Sequence, residues 1–149
     1  YATFVFGYDH DTGESFERAF DFALGQRFYI AAFNHLTPFP GTPLYRRLQD
    51  EGRLLYENWW LDENYSYNRL PFRPARLSAE EVQARCVDAR RRFYGWSSMM
   101  RRGFDRVNRA DWFMFRNFFP INLMHRAEVG QRNHYPLGDA AWKGTLLKV

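Results

Sequence analysis

The spacing of apolar and polar positions changes several times along the chain, and each change marks an element. Tyr1 to Phe6 is a short apolar run closed by Gly7, the pattern of a buried strand. Tyr8-Asp9-His10-Asp11-Thr12-Gly13 is turn chemistry. Asp11 or Thr12 is placed to cap a helix, and Glu14 stands three residues after Asp11, as a capping box requires. Phe16, Ala19, Phe20, Ala23 and Leu24 then recur at a 3.6-residue period, which predicts an amphipathic helix that Gly25 is placed to end. Phe28 to Leu36 is a second strand-like run. Two strands joined by one such helix make a parallel βαβ crossover. Parallel sheets need several strands and cover on both faces. With two clear strands and no initiator Met, the chain is expected to be a piece whose remaining strands lie upstream.

Thr37-Pro38-Phe39-Pro40-Gly41-Thr42-Pro43 forces a rigid, non-helical loop. Thr42 is a natural N-cap and Pro43 a natural first helical residue; Leu44 and Leu48 give the short helix its buried side, and Gly52 stops it. Residues 53–76 are irregular and rich in aromatics, with a short strand expected over Tyr65 to Arg69. From Leu77 the period is helical again. Ser78 and Glu81 form a capping box, Leu77 and Val82 a hydrophobic staple, and Val82, Cys86, Ala89 and Phe93 one stripe. Gly95 interrupts. Ser97 or Ser98 is placed to cap a helix carrying Met99, Met100, Phe104 and Val107. A last helical stretch starts near Asn108 or Asp111 with Trp112, Phe115 and Phe119, and Pro120 is expected to kink or break it before Ile121 to Glu128.

The expected fold class is α+β: a partial parallel βαβ unit followed by a mostly helical extension. The expected division is 1–52 for the strand–helix part, 53–76 for an aromatic joint, 77–129 for the helices and 130–149 for an extended tail. An incomplete sheet exposes apolar strand edges, so the isolated piece is expected to associate unless its helices cover them.

Composition narrows the function classes. Of 149 residues, 46% are hydrophobic and 19% aromatic, which excludes a disordered chain. No apolar run is long enough to span a bilayer. Tyr1 to Phe6 has neither the basic region nor the cleavage site of a signal peptide, and a cytoplasmic setting is the default expectation. One cysteine, Cys86, excludes a disulfide framework and a multi-cysteine metal site within these residues; His125 and His134 lack neighbouring ligands. The net charge is +4, concentrated in Arg90-Arg91-Arg92, Arg101-Arg102, Arg106 and Arg109. Such a cluster is more often the solvated face of a helix than a nucleic-acid surface, so nucleic acid is not the expected partner. A free-standing basic, aromatic-rich interaction domain binding RNA or a protein is the alternative reading.

Two pieces of the chain carry a resemblance. Phe4-Val5-Phe6-Gly7-Tyr8-Asp9-His10-Asp11-Thr12 precedes an acidic amphipathic helix, and Leu36-Thr37-Pro38-Phe39-Pro40-Gly41-Thr42-Pro43-Leu44-Tyr45 follows the second strand. Together they resemble the fifth and sixth strands of the radical S-adenosylmethionine (radical SAM) barrel. Arg53-Leu54-Leu55 after Gly52, and Ser78-Ala79-Glu80-Glu81, look like the extension of members that also carry an N-terminal cobalamin-binding domain. The resemblance implies a 4Fe–4S cluster and S-adenosylmethionine in the intact protein, with cobalamin for methyl transfer in some members. In such enzymes the cluster reductively cleaves S-adenosylmethionine to a 5′-deoxyadenosyl radical. The three-cysteine cluster motif is absent here. The resemblance places it upstream, in a missing N-terminal part of the same chain, so this piece is expected to be inactive alone.

No catalytic residue is expected in this piece, with His35 the one candidate acid or base. On the same resemblance, Gly7, Asp9, Asn34, His35 and Thr37 are candidates for the S-adenosylmethionine side. Gly7 serves either a close backbone approach to the ligand or a plain strand-to-loop turn. Asp9 and Asp11 are placed to bond a ribose or amine, with Asp11 the better helix cap. Asn34, His35 and Thr37 lie towards the adenine, and His35 equally reads as a satisfied structural histidine. Trp59, Trp60, Tyr65 and Tyr67 either pack under the barrel or border its cavity. No metal ligands and no substrate are indicated.

Overall fold

A computed structural model describes residues 1–131. Strand β1 (Ala2–Phe6) pairs in parallel with β2 (Ala31–His35), with Phe4 opposite Phe33 and Phe6 opposite His35. Helix α1 (Gly13–Gly25) makes the crossover. Side chains alternate across the sheet. Phe4, Phe6 and Phe33 therefore share one face, and Thr3, Val5 and Asn34 the other. The first face is dry. Phe6 stacks on Phe16 of α1, Phe4 stacks on Phe33, and Phe33 meets Phe93 of α3 (Ala79–Phe93). The second face is open, with Thr3, Val5 and Asn34 exposed. The fold is α+β, a parallel βαβ unit followed by a helical extension, as the periodicity indicates.

The helix boundaries follow local chemistry, with three corrections. Thr12, not Asp11, caps α1: its N–H donates to Ser15 Oγ at 3.2 Å and its carbonyl accepts from Ser15 N–H at 3.0 Å. Asp11 instead turns its carboxylate back onto the N–H groups of Gly7 and Tyr8. Past Gly25 the left-handed position falls on Arg27, at φ 55°. Helix α2 (Pro43–Asp50) starts where Thr42 accepts from Tyr45 N–H, and Gly52, at φ 61°, ends it. Ser78 accepts from Glu81 N–H at the start of α3, whose stripe Val82, Cys86, Ala89 and Phe93 is fully buried. The second correction is α4 (Trp96–Gly103). It is capped by Gly95, and Ser98 sits inside it, donating to the Phe93 carbonyl.

The third correction is α5 (Trp112–Gln131), which runs through Pro120 without a break and through Gly130, where the tail was expected to begin. The Asp111 carboxylate accepts from Met114 N–H and opens it. Proline removes one ladder bond. Phe118 and Asn122, both fully buried on either side of it, anchor the two halves. The rest of the expected tail, and His134, lie outside the described residues. Residues Tyr65 to Arg69 form no strand; the joint is instead tied by an antiparallel bridge between Leu54 and Phe72.

The arginines do not form one solvated face. Arg102 is fully buried and Arg90 half-buried. Arg102 binds the carbonyls of Phe28 and Tyr29 before β2, and Arg90 binds β2 itself. Residues alternate along a parallel strand in the side to which their backbone groups point. Ile30 and Leu36 bond β1, which turns Ala31 and Phe33 to the free edge of β2. The Tyr94 hydroxyl donates to the Ala31 carbonyl and accepts from the Ala31 N–H, while Arg90 Nε donates to the Phe33 carbonyl. Side chains of α3 and its cap thus close one sheet edge to further pairing.

Candidate functional site

Strand β2 ends at His35, and the loop that follows cannot continue either strand or helix because of its prolines. Asn34, His35 and Thr37 are thereby delivered to one cavity of about 300 Å³, completed by Trp59, Tyr65, Tyr67 and Asn68 of the joint. The aromatic wall is fixed by its own packing. Trp59 Nε1 donates to the Pro38 carbonyl at 3.0 Å, and the Trp59 and Tyr65 rings meet at 5.1 Å. The Tyr65 hydroxyl donates to the Arg69 carbonyl, and burial pushes its pKa up to about 12. Asn68 adopts φ 70°, a left-handed turn that asparagine tolerates, and its Oδ1 accepts from Arg90 Nη2 at 2.7 Å.

His35 is the titratable group of the cavity best placed to change its charge. Burial lowers its pKa from the ordinary histidine value, and the nearby Arg90 charge acts the same way. Its Nδ1 lies 3.4 Å from the Leu36 carbonyl, and the Asn68 backbone also bonds the ring, so main-chain groups hold the imidazole in place. The cavity thus offers a neutral imidazole and side-chain amides beside aromatic faces. That set suits a flat, polar-edged heterocycle.

Gly7 and Asp9 lie elsewhere. Gly7 has φ +110°, and a Cβ there would come within 3.4 Å of the Phe72 ring. Its N–H is already bonded to Asp11. Asp9 accepts from Arg47 at 2.6 Å and from Arg53 at 2.9 Å, and Arg53 also binds Glu51. The Arg53 hydrogen bond holds the Asp9 carboxyl below its usual range. The five candidates therefore separate: three lie at the cavity, Gly7 is held within the β1–α1 turn by Asp11, and Asp9 belongs to a network that ties that turn to α2 and the joint. Asn68 was missed in the sequence because no period marks an irregular joint. Of the four joint aromatics, Trp59, Tyr65 and Tyr67 line the cavity, and Trp60 packs on Tyr45 and Trp59.

A second cavity of about 250 Å³ shares Asn34 and Tyr67 with the first and extends to Tyr94, His125 and Glu128. The His125 ring stacks on Tyr94, with Nδ1 3.7 Å from Glu128. A larger hollow of about 520 Å³ between the joint and α3 takes in neither strand end and brings together no reactive set. Among the described residues no cluster of histidine, cysteine or carboxylate side chains is fit to hold a metal. Cys86 is fully buried, and burial pushes its thiol up to about 12. An iron–sulfur cluster does not fit these residues.

Comparison with known proteins supplies relatives. Over 123 residues the chain is 32% identical to bacteriochlorophyllide d C-12(1)-methyltransferase of Chlorobaculum tepidum, covering 83% of this chain. It is 22% identical over 131 residues, 88% of the chain, to bacteriochlorophyllide d C-8(2)-methyltransferase of the same organism. The chain spans about a quarter of the length of each, 25% and 28%. No family model matches it, and no solved structure does. The chain is thus related to methyltransferases, at a distance. No helix among the described residues is long and apolar enough to cross a membrane.

Proposed function

We propose that this chain is the C-terminal part of a radical SAM methyltransferase, formed by the last two strand–helix units of the barrel and a helical extension. The observation that carries the reading is the 32% identity to the C-12(1)-methyltransferase over most of the chain. Two features of the fold support it. The βαβ unit leaves one face and the outer edge of β1 for more sheet, as a larger barrel requires. The cavity with Asn34, His35 and Thr37 lies at the C-terminal end of a parallel strand, where α/β barrels place their sites.

In this reading the cavity takes the adenosine end of S-adenosylmethionine. The Tyr67 and Trp59 faces flank the base, and Asn34, Asn68 and His35 meet its polar edge. A 4Fe–4S cluster would be held by a part of the natural protein outside these residues and would supply the electron for cleaving the sulfonium, and cobalamin in a further domain would serve as methyl carrier. The methyl acceptor is a flat, hydrophobic macrocycle of the bacteriochlorophyllide class. Gly7 and Asp9 shape the turn beside the site rather than touching the ligand. We propose no nucleic-acid partner, since two of the clustered arginines are spent on the fold.

The test is anaerobic reconstitution of the whole natural gene product with iron, sulfide and cobalamin, followed by mass spectrometry. The expected result is reductant-dependent formation of 5′-deoxyadenosine or S-adenosylhomocysteine, with mass gain on a bacteriochlorophyllide. A gene product lacking a three-cysteine motif, or one that binds iron but never consumes S-adenosylmethionine, overturns the reading.

A further inference from the structure

The corner between α4 and α5 faces outward with large apolar side chains. Phe104, Val107, Trp112, Phe113 and Met114 are all exposed, Trp112 and Phe113 by more than 70%. A folded chain normally hides such a group. The corner is not loose. Asn108, buried, donates from Nδ2 to the carbonyls of Arg27 and Arg102; Tyr29 OH donates to the Met114 carbonyl; and Arg27 pairs with Asp105 at 3.2 Å. The backbone of the corner is thus pinned to the segment that enters β2, while its apolar side chains stay outside.

Charge surrounds this apolar tip. Residues 101–116 hold five arginines and two aspartates. Asp105 is engaged by Arg27, and Asp111 caps α5. Arg102 is buried. Arg101, Arg106, Arg109 and Arg116 remain exposed, interleaved in the chain with Phe104, Val107, Trp112 and Phe113. A convex apolar tip with a cationic rim is the complement of an anionic bilayer. Aromatic side chains insert at the headgroup boundary, and arginines meet the lipid phosphates.

We propose that the α4–α5 corner seats the protein on an anionic membrane surface, with Val107, Trp112 and Phe113 inserted and the four arginines at the headgroups. This is peripheral attachment, not spanning. The cavity at the end of β2 is on the order of 15–20 Å away along the strand, so docking leaves it accessible.

The experiment is co-sedimentation of the whole natural gene product with vesicles of phosphatidylglycerol and phosphatidylcholine, and with phosphatidylcholine alone. Binding is expected to the anionic vesicles and to weaken as salt rises. The exposed double variant Trp112→Ser/Phe113→Ser, and separately Arg106→Glu/Arg109→Glu, is expected to lower partitioning on the order of tenfold or more. Circular dichroism checks that each variant is folded. Absence of binding to anionic vesicles overturns the proposal, and the corner then packs within the longer protein. So does equal binding to neutral vesicles, or variants that change self-association and not partitioning, which would assign the tip to a second copy.

Discussion

The guanidinium carbon of Arg102 lies 3.7 Å from the ring centroid of Phe93, and its Nη2 donates to the Phe93 carbonyl at 2.7 Å. Its other donors reach Ser98 Oγ, the carbonyls of Phe28 and Tyr29, and Asn122 Oδ1. Among the described residues the hydrogen-bond partners of this buried cation are neutral dipoles, and an aromatic face lies against it. One side chain thereby joins α3, α4, α5 and the entry to β2.

Replacing Arg102 is therefore expected to cost much of the stability. Lysine offers three donors from one point and cannot reproduce the planar fork. Arg102→Lys or Arg102→Met leaves several buried acceptors unpaired, a loss of roughly 3–5 kcal/mol. Arg101→Met, one residue away and exposed, is expected to change stability by less than about 0.5 kcal/mol. Urea denaturation of the three variants decides it; equal midpoints would remove the structural role given to Arg102.

Two glycines are expected to respond in opposite directions. A Cβ on Gly103 would come within 2.8 Å of both Phe118 and Phe119, rings held in packed positions. Gly103→Ala should cost about 1–3 kcal/mol by overpacking. Gly25 meets nothing within 4 Å, so Gly25→Ala at the end of α1 should be neutral or stabilising by up to about 1 kcal/mol. Thermal unfolding of both variants measures the contrast.

The contrast between Arg101 and Arg102 also shows what the sequence carries. The βαβ unit, the Thr42 and Ser78 caps and the Val82–Phe93 stripe were legible because period and capping are local. An arginine run looks the same whether its members face water or carbonyls, so the burial of Arg102 needed the third dimension. Pro120 misled for a related reason: the loss of one ladder bond is local, while the packing of Phe118 and Asn122 that outweighs it is not. At the site, Asn34, His35 and Thr37 were found because a strand end is readable. Asn68 was not, because an irregular joint follows no period. Gly7 and Asp9 share the neighbourhood of a strand end; Gly7 bonds Asp11 within its own turn, but the pairs of Asp9 with Arg47 and Arg53 join residues 38 and 44 apart in the chain, which no local pattern shows.

Two tyrosines are expected to make stability fall at alkaline pH. Burial pushes the Tyr65 and Tyr94 hydroxyls up to about 12 from the ordinary value of 10.0. In the unfolded chain they ionise near 10, so the unfolded state releases protons first as pH rises. Their contribution is complete below pH 10 and is lost between about 10 and 12, of order 2 kcal/mol each. Ultraviolet titration should show a late class of tyrosines near 12. Tyr94→Phe should remove part of the late class and also lower stability by about 1 kcal/mol through its bond to Ala31. A single ionisation step in the folded protein would contradict the burial.

The division of candidate residues between two places gives the last prediction. S-adenosylhomocysteine, a stable analogue, is the probe, titrated calorimetrically into the whole natural gene product. Tyr67→Ala and Asn34→Ala remove a stacking face and a polar edge from the cavity, and each should weaken binding about tenfold. Asp9→Asn should leave the affinity unchanged and lower stability, since it breaks the pairs with Arg47 and Arg53 and touches no ligand. His35 adds a pH signature. Its pKa is lowered by burial, so the ring is neutral at pH 7. As pH falls below 6.5 the unfolded state takes up the proton first, so stability declines, and as the folded imidazole titrates the cavity gains a positive charge and affinity declines with it. In His35→Gln both slopes should flatten, while a slope in affinity that persists in this variant would move the titrating group elsewhere.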